Sequence, residues 1–369
     1  FRRYGIYALR RGHNYGLVFN NFRVPKENRI VPPFGNGLMV AYHGLNLGRV
    51  ALSALAAGGM RMMLAGMIPW AKYRRTYGQP IIKRELVESR MGRLAGRIVA
   101  CDAIGTWCGW LLEQGYRGEM ECIIAKIFAS ESQKDAAIEL CMKTHGGRSF
   151  LHGHSLGDNV HEFLAPCIYE GEGEMLGMAF LKSLIKEHGT KFFEPIGRTL
   201  AAKGITQPNM ANPAHLWALR KPLQAYAGWM AHDRLTGPSV PYLPELPPRT
   251  KEIVEWSIEQ IQYSRRDISS AMTKYQLKLA DRQCKTAEIS SRIRDFATII
   301  VVGLWTGQQK SQGTRQAGEL LCEELSLKLK GRRPDDGYYR RACELGQLIA
   351  DGGFEEIDGI KPDPVLMPY

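Results

Sequence analysis

The stretch LNLGRVALSALAAGGMRMMLAGMIPWAKYRR, which begins at Leu45, constrains the chain more than any other. Its apolar residues recur at helical spacing for roughly eight turns. Ala, Leu and Met, all strong helix formers, fill most of its positions. TYGQPI then breaks the pattern, with Gly78 and Pro80 as punctuation. A second long helical pattern runs from about Arg84 to Gln114, and a third from near Glu119 to Thr144. HGGRSFLHGHSLGDN reads as a Gly/His-rich loop, and after YEGEGEM a fourth helix closes near His188. Long helices joined by short breaks predict an antiparallel helical bundle.

The flanks read differently. YGIYAL and GLVFNNFRVP, within the first thirty residues, have strand character, and VPPFGNG is a turn-rich linker. After residue 190, PAHLWALRKPLQAYAGWMAHDRL is an amphipathic helix bearing Trp217 and Trp229. TGPSVPYLPELPP is a stiff connector. Helical patterns follow at about 250–283, 286–307, 311–330 and 336–351, with no fixed-period repeat. The predicted class is mainly α: residues 1–36 the end of a β-domain, 37–188 a four-helix bundle, and 189–369 a second helical domain.

Composition narrows the function classes. The 369 residues are 44% hydrophobic and 23% charged, which is globular rather than disordered. The net charge of +12 invites an acidic partner. No nucleic-acid motif accompanies it, so a phosphorylated ligand or an anionic membrane ranks ahead of nucleic acid. FATIIVVGLW, an apolar run late in the chain, is short of the ~20 residues that cross a bilayer. The eight cysteines stand singly without a CxxC pair, which suits free thiols in a reducing compartment. Phe1 falls inside what reads as a strand and no secretory leader opens the chain, so the N-terminus is expected to have been lost or processed.

One short stretch carries chemistry. In PCIYEGEGEM, Pro166 to Met175, three acids sit among two glycines directly after an Ile-Tyr pair. Glu170 is either a solvated turn acid or a base aimed into an apolar pocket. Apolar neighbours would desolvate a carboxylate and raise its basicity, and the following Gly171 would let backbone approach a ligand.

Four segments, in order, resolve this choice by resemblance. FNNFRVPKENRI is similar to the end of the β-domain of flavin-dependent acyl-CoA dehydrogenases. YRRTYGQPI resembles that family's Arg-x-x-aromatic-Gly element, KTHGGRSF its Gln-x-x-Gly-Gly segment, and IYEGEGEM in part its Tyr-Glu-Gly-Thr-Asn-Glu-Ile signature. The resemblance covers roughly Tyr4 to Lys186, the C-terminal half of such enzymes. The block after residue 190 resembles, more loosely, the extension of the very-long-chain members.

The resemblance implies FAD as cofactor and oxidation of long-chain acyl-CoA to trans-2-enoyl-CoA. It places the catalytic base on Glu170, whose N–H would also polarise the thioester carbonyl, with Tyr169 and Gly171 beside the substrate. Some members carry the base on another helix directly before an Arg; here that position is Gly48, before Arg49. Asn46, Leu47, Gly48 and Arg49 would meet the thioester and its CoA arm, although Asn46 and Arg49 also fit a solvated helix face. Arg74, Thr76 and Tyr77 fall on the element that holds the FAD diphosphate of a neighbouring subunit; a basic helix end is the plain alternative. Gly146 and Gly147 would let backbone approach the cofactor. Glu85, Lys143, Glu172 and Glu174 fall on cofactor-facing positions. Glu85 and Lys143 replace Gln and Glu172 replaces Thr, and a Lys143–Glu172 or Arg74–Glu172 pair is expected to offset the last.

The implied partners are an acyl-CoA substrate, an electron-transferring flavoprotein, further copies of the chain, and an N-terminal half on the same or a companion polypeptide. The implied location is the cytoplasm in a bacterium or the mitochondrial matrix in a eukaryote; the basic, Trp-bearing helix near 213–235 fits either docking on the bundle or peripheral contact with an anionic membrane. An oxygen-using oxidase, a non-catalytic scaffold without FAD and a membrane-associated module are the rival readings. His145, His152, His154 and His161 lack partners for a tetrahedral metal set and are expected to be solvated loop histidines.

Overall fold

A computed structural model of the chain describes residues 2–33, 35–209 and 211–366. It is mainly helical, as the periodicity predicts. Helix α1 spans Gly37–Tyr73. The Asn36 side chain caps it by accepting the Met39 N–H at 3.3 Å. By length and composition α1 could cross a membrane. Its Ala56, Ala57, Met60, Leu64 and Met67 are instead fully buried in a protein core. The helix stops at Arg74, where the backbone turns extended. A two-residue hairpin follows: β1, Arg75–Thr76, pairs antiparallel with β2, Gln79–Pro80. Tyr77 and Gly78, at φ 48° and 79°, make its left-handed corner.

Helix α2 spans Glu85–Glu113 and α3 Glu119–Asp135. A π-helical stretch, Ala136–Met142, carries α3 into a last turn at Lys143–His145. Helices α1, α2 and α3 pack on one another. Gly59 on α1 admits α3, since a Cβ there would lie 2.9 Å from Gln133 Nε2. The expected loop from His145 to Asn159 is only partly a loop. His154 Nδ1 accepts the Leu156 N–H at 3.1 Å and so caps helix α4, Ser155–Leu164. Helix α5, Gly173–His188, follows.

The remaining helices are α6 Glu194–Ala202, α7 Pro213–Thr236, α8 Pro248–Tyr275, α9 Gln283–Thr306, α10 Gln312–Leu329 and α11 Asp336–Ala350. The chain forms two compact units. The first comprises Phe1–Leu176, Pro244–Val254 and Ala297–Tyr369; the second comprises Gly177–Leu243 and Glu255–Phe296. This differs from the expected boundary at 188, because α10 and α11 return to pack on α2. Glycine makes that close approach sterically feasible. A Cβ at Gly96 would lie 2.9 Å from the Ala317 carbonyl oxygen, and one at Gly346 would overlap the Glu88 backbone. Glu324 on α10 locks the contact, accepting from Arg97 at 3.0 Å and from the Tyr338 hydroxyl at 2.9 Å. These groups hold its carboxyl down at about 2 against the cost of burial.

The second unit has its own core of Phe180, Leu181, Phe192, Leu219, Ile268 and Ile289. His188, Phe192, Tyr226 and Trp229 form an aromatic cluster within it. Asp233, 3% exposed, is held by both Arg265 and Arg266.

The N-terminal strands are the clearest departure from expectation. Before residue 37 the described residues pair only at Arg2–Arg3 with Tyr15–Gly16. Val18, Phe19 and Phe22 are exposed. Strand-forming residues need neighbouring strands to hydrogen-bond with, and the described residues offer no further ones there. Glu162 on α4 pins this segment by accepting the Leu9 and Arg10 N–H groups at 2.9 and 3.1 Å.

Candidate active site

The residues singled out from the sequence gather in two groups, one toward each end of α1. The first surrounds Glu170. The chain leaves α4 through a tight turn, Ala165–Cys167. The Cys167 thiol donates to the Ser130 carbonyl on α3 at 3.1 Å, anchoring that turn. Glu170 then adopts φ 58° and Gly171 φ 97°. A left-handed conformation costs a non-glycine residue ~1–2 kcal/mol, so surrounding contacts must enforce it at Glu170. At Gly171 a Cβ would press within 2.9 Å of Leu176 Cγ. The turn aims the Glu170 carboxylate at Gly48 on α1: a Cβ built on Gly48 would stand 3.5 Å from Oε1 and 3.8 Å from Oε2.

Glu170 is exposed, and the expected desolvation by apolar neighbours within the chain is not found. Ile168 and Leu47 are themselves 71% and 50% exposed. Tyr169 is half-buried against the core, and burial, followed by the charge of Glu170, raises its hydroxyl pKa. Asn46 and Arg49, for which a solvated helix face was one expectation, are buried at 1% and 6% exposure. Arg49 Nη1 donates to Asn46 Oδ1 at 3.0 Å, and Asn46 Nδ2 to the Arg117 carbonyl at 2.9 Å. Arg49 Nε has no hydrogen-bond partner among the described residues.

The expected pairing of Glu172 with Lys143 or Arg74 does not form. Glu172 accepts the N–H groups of Glu174 and Met175 at 2.8 and 2.6 Å, so its charge stabilises the start of α5. Lys143 pairs with Glu139 one turn back. Glu174 is exposed on the first turn of α5.

The second group lies at the far end of α1. Arg74, Arg75 and Tyr77 of the hairpin are exposed, Tyr77 at 97%. Neither arginine enters an ion pair among the described residues. Arg84 Nη2 donates to the Thr76 carbonyl at 2.6 Å and fixes the hairpin. Glu85, exposed, opens α2 next to it. Trp70 stacks on His145, ring centroids 6.2 Å apart, which brings the Gly146–Gly147 turn to the same end. Gly146 has φ 62°, and a Cβ on either glycine would meet nothing within 4 Å, so the backbone there faces open space.

Two of the four loop histidines are not solvated. His145 and His154 are buried at 5% and 1%. Since His154 Nδ1 accepts from Leu156, its Nε2 carries the proton and faces His145 Nδ1 at 3.4 Å. Arg148 donates to the same nitrogen at 3.0 Å. Burial, then His154 and Arg148, push His145 down to about 3, so it stays neutral. His152 and His161 remain exposed.

Sequence reasoning missed Lys126. It is completely buried on α3, and its Nζ donates to the Gly171 carbonyl at 2.5 Å. The signal was a charge at a core phase of the helix: Cys122, Ile123, Ile127, Ala129 and Ser130 around it are all buried.

Residues 35–185 match the family described as acyl-CoA dehydrogenase, C-terminal domain. The chain is 27% identical over 175 residues to bovine mitochondrial isobutyryl-CoA dehydrogenase, covering 46% of this chain and 41% of that one. It is 24% identical over 322 residues to the human mitochondrial very long-chain specific acyl-CoA dehydrogenase, covering 86% of this chain and 46% of the relative. The chain thus spans less than half the length of these relatives. Among solved structures, an acyl-CoA dehydrogenase complexed with FAD from Bacillus anthracis superposes with a TM-score of 0.61 at 16% identity, over 86% of this chain and 57% of that one. An acyl-CoA oxidase from tomato superposes with a TM-score of 0.60 at 16% identity, over 92% and 53%. Residues 35–185 therefore match the acyl-CoA dehydrogenase C-terminal domain family, and the helical arrangement on which Glu170 is mounted shares its fold with solved acyl-CoA dehydrogenases and oxidases.

Proposed function

We propose that this chain supplies the proton-abstracting half of an FAD-dependent acyl-CoA dehydrogenase site, with Glu170 as the base. The observation that carries the reading is the left-handed turn that directs the Glu170 carboxylate at the side-chain-free surface of Gly48. The missing side chain at Gly48 lets the carboxylate sit close against α1, at a fixed place from which to meet the thioester. Glu170 takes the proton from Cα of the acyl group. A bound FAD would supply the acceptor for the hydride that leaves Cβ, giving trans-2-enoyl-CoA. The Glu170 N–H lies on the same turn, and in this reading it donates to the thioester carbonyl, where negative charge builds as the proton leaves.

The far end of α1 fits a diphosphate. Exposed arginines without an ion pair among the described residues and a glycine turn with open space above it offer charge and backbone donors together. Gly48 and Trp70 are 22 residues apart on α1, about 33 Å at helical rise. That exceeds the span of one dinucleotide, so Arg74, Thr76 and Tyr77 of one chain serve the cofactor beside Glu170 of another. The proposed assembly is therefore a homo-oligomer. The apolar side chains left exposed on α1 and around Glu170, including Leu38, Leu47 and Ile168, are covered by the rest of the site, on the same or a companion polypeptide. That cover provides the desolvation the base requires.

The match that continues past residue 186 to a very long-chain relative supports a long-chain substrate. The test is spectral: the whole protein carries flavin absorbance, and long-chain acyl-CoA bleaches it without oxygen. A colourless protein would make the chain a non-catalytic scaffold. Recovery of colour by an electron-transferring flavoprotein marks a dehydrogenase, and recovery by oxygen alone marks an oxidase.

We further propose peripheral membrane contact through α6 and α7. Helix α6 has no buried residue, and on α7 Trp217 is 69% exposed with the Arg220 guanidinium 4.1 Å from its ring centroid. The whole protein is expected to float with anionic vesicles; its remaining at the bottom of the gradient would end the membrane reading.

A further inference from the structure

We propose that Lys126 is the positioning residue of this site: its ammonium, donated to the Gly171 carbonyl, holds the Glu170–Gly171 turn, and with it the Glu170 carboxylate, in place. The inference rests on Glu170 being the base.

A lysine is a poor filler for this slot. Burying an ammonium is expensive, and an apolar side chain of similar length would occupy the space at lower cost. What the lysine adds is a donor and a charge, and both are spent on one place. Its Nζ lies 2.5 Å from the carbonyl of the residue directly after Glu170. Helix α3 holds the rest of the segment too. Ser130 accepts from Cys167, and Ile127 and Glu131 back Gly173, where a Cβ would stand 3.5 and 3.3 Å from them. These contacts come from successive turns of one rigid helix. The Lys126 contact is the one at the two consecutive left-handed residues, where the backbone most needs enforcement.

Lys126 on α3 and Tyr169 on the loop both feel the Glu170 charge; Lys126 also feels Arg49, Glu131 and Cys167, and Tyr169 also feels Glu162 and Cys167. Burial lowers the Lys126 pKa, while the neighbouring Cys167, Glu170 and Glu131 raise it.

The test uses the intact, flavin-loaded protein with Lys126→Met and Lys126→Arg. The probe is a 3-thiaacyl-CoA, in which sulfur replaces the β-carbon. It has an acidic α C–H but no hydride to give, so uptake of deuterium at Cα from D₂O reports proton abstraction alone. In Lys126→Met, calorimetric affinity for the probe is expected to be unchanged. Exchange at neutral pH is expected to fall ~100-fold, the scale of a misplaced catalytic group. Lys126→Arg keeps a cationic donor at that position, so it is expected to recover part of the exchange rate that Lys126→Met loses. A Lys126→Met protein with the wild-type rate overturns the proposal, and so does one whose exchange falls only in step with its affinity for the probe. Loss of flavin or of probe binding in both variants makes Lys126 a core prop and overturns it as well. Normal exchange in Glu170→Gln would instead remove the assignment of the base itself.

Discussion

Glu170→Gln is expected to keep its flavin and its affinity for acyl-CoA while losing bleaching. The replacement preserves size and the ability to hold the turn, but an amide does not accept a proton from carbon at neutral pH. The loss should be of the order of general-base catalysis, about 10²–10⁴-fold in the bleaching rate. A carboxylate at position 48 could have substituted for it, but that residue is glycine. Stopped-flow absorbance with long-chain acyl-CoA measures the effect. Bleaching at the wild-type rate would move the base elsewhere; a variant without flavin would show that Glu170 serves the fold.

The second large effect concerns architecture. Gly346→Val is expected to destabilise the first unit by about 3 kcal/mol or more. A side chain there overlaps the Glu88 backbone on α2, and neither helix gives way without disturbing the Glu324 cluster. Gly109→Ala is the control. It lies on α2 with nothing within 4 Å of the added methyl, and is expected to be neutral or stabilising by ~0.5–1 kcal/mol. Urea unfolding of both variants reads the difference. Equal midpoints would show that α2 and α11 are not closely packed.

Much of the helical frame was legible because periodicity is local. The pattern from Leu45 ends where α1 ends, and Gly78 marks a corner that demands φ above zero. The PCIYEGEGEM segment was legible because its residue types carry chemistry. What failed depends on contacts distant in sequence. Val18 and Phe19 have strand composition, but pairing partners decide whether a strand exists. His145 and His154 look polar in sequence, yet the crossing of α4 over the preceding turn encloses them. The return of α10 and α11 onto α2 was written only in glycine spacing, at Gly92 and Gly96, which reads equally as a weak helix. Lys126 was hidden because one lysine in an apolar helix resembles a surface residue until the helix is docked. The environment of Glu170 is the deepest gap: its apolar neighbours are present in sequence, but they face outward.

The length of α1 has a consequence for inheritance. If each helix ends in half of two different catalytic centres, two defective copies of the chain need not add up to a defective assembly. A subunit lacking Glu170 and another lacking Arg74 would together rebuild one sound centre per mixed pair. Random pairing would then return about a quarter of normal turnover from two inactive parents. Conversely, a variant that alters the reach of α1 without touching either end would spoil both centres at once.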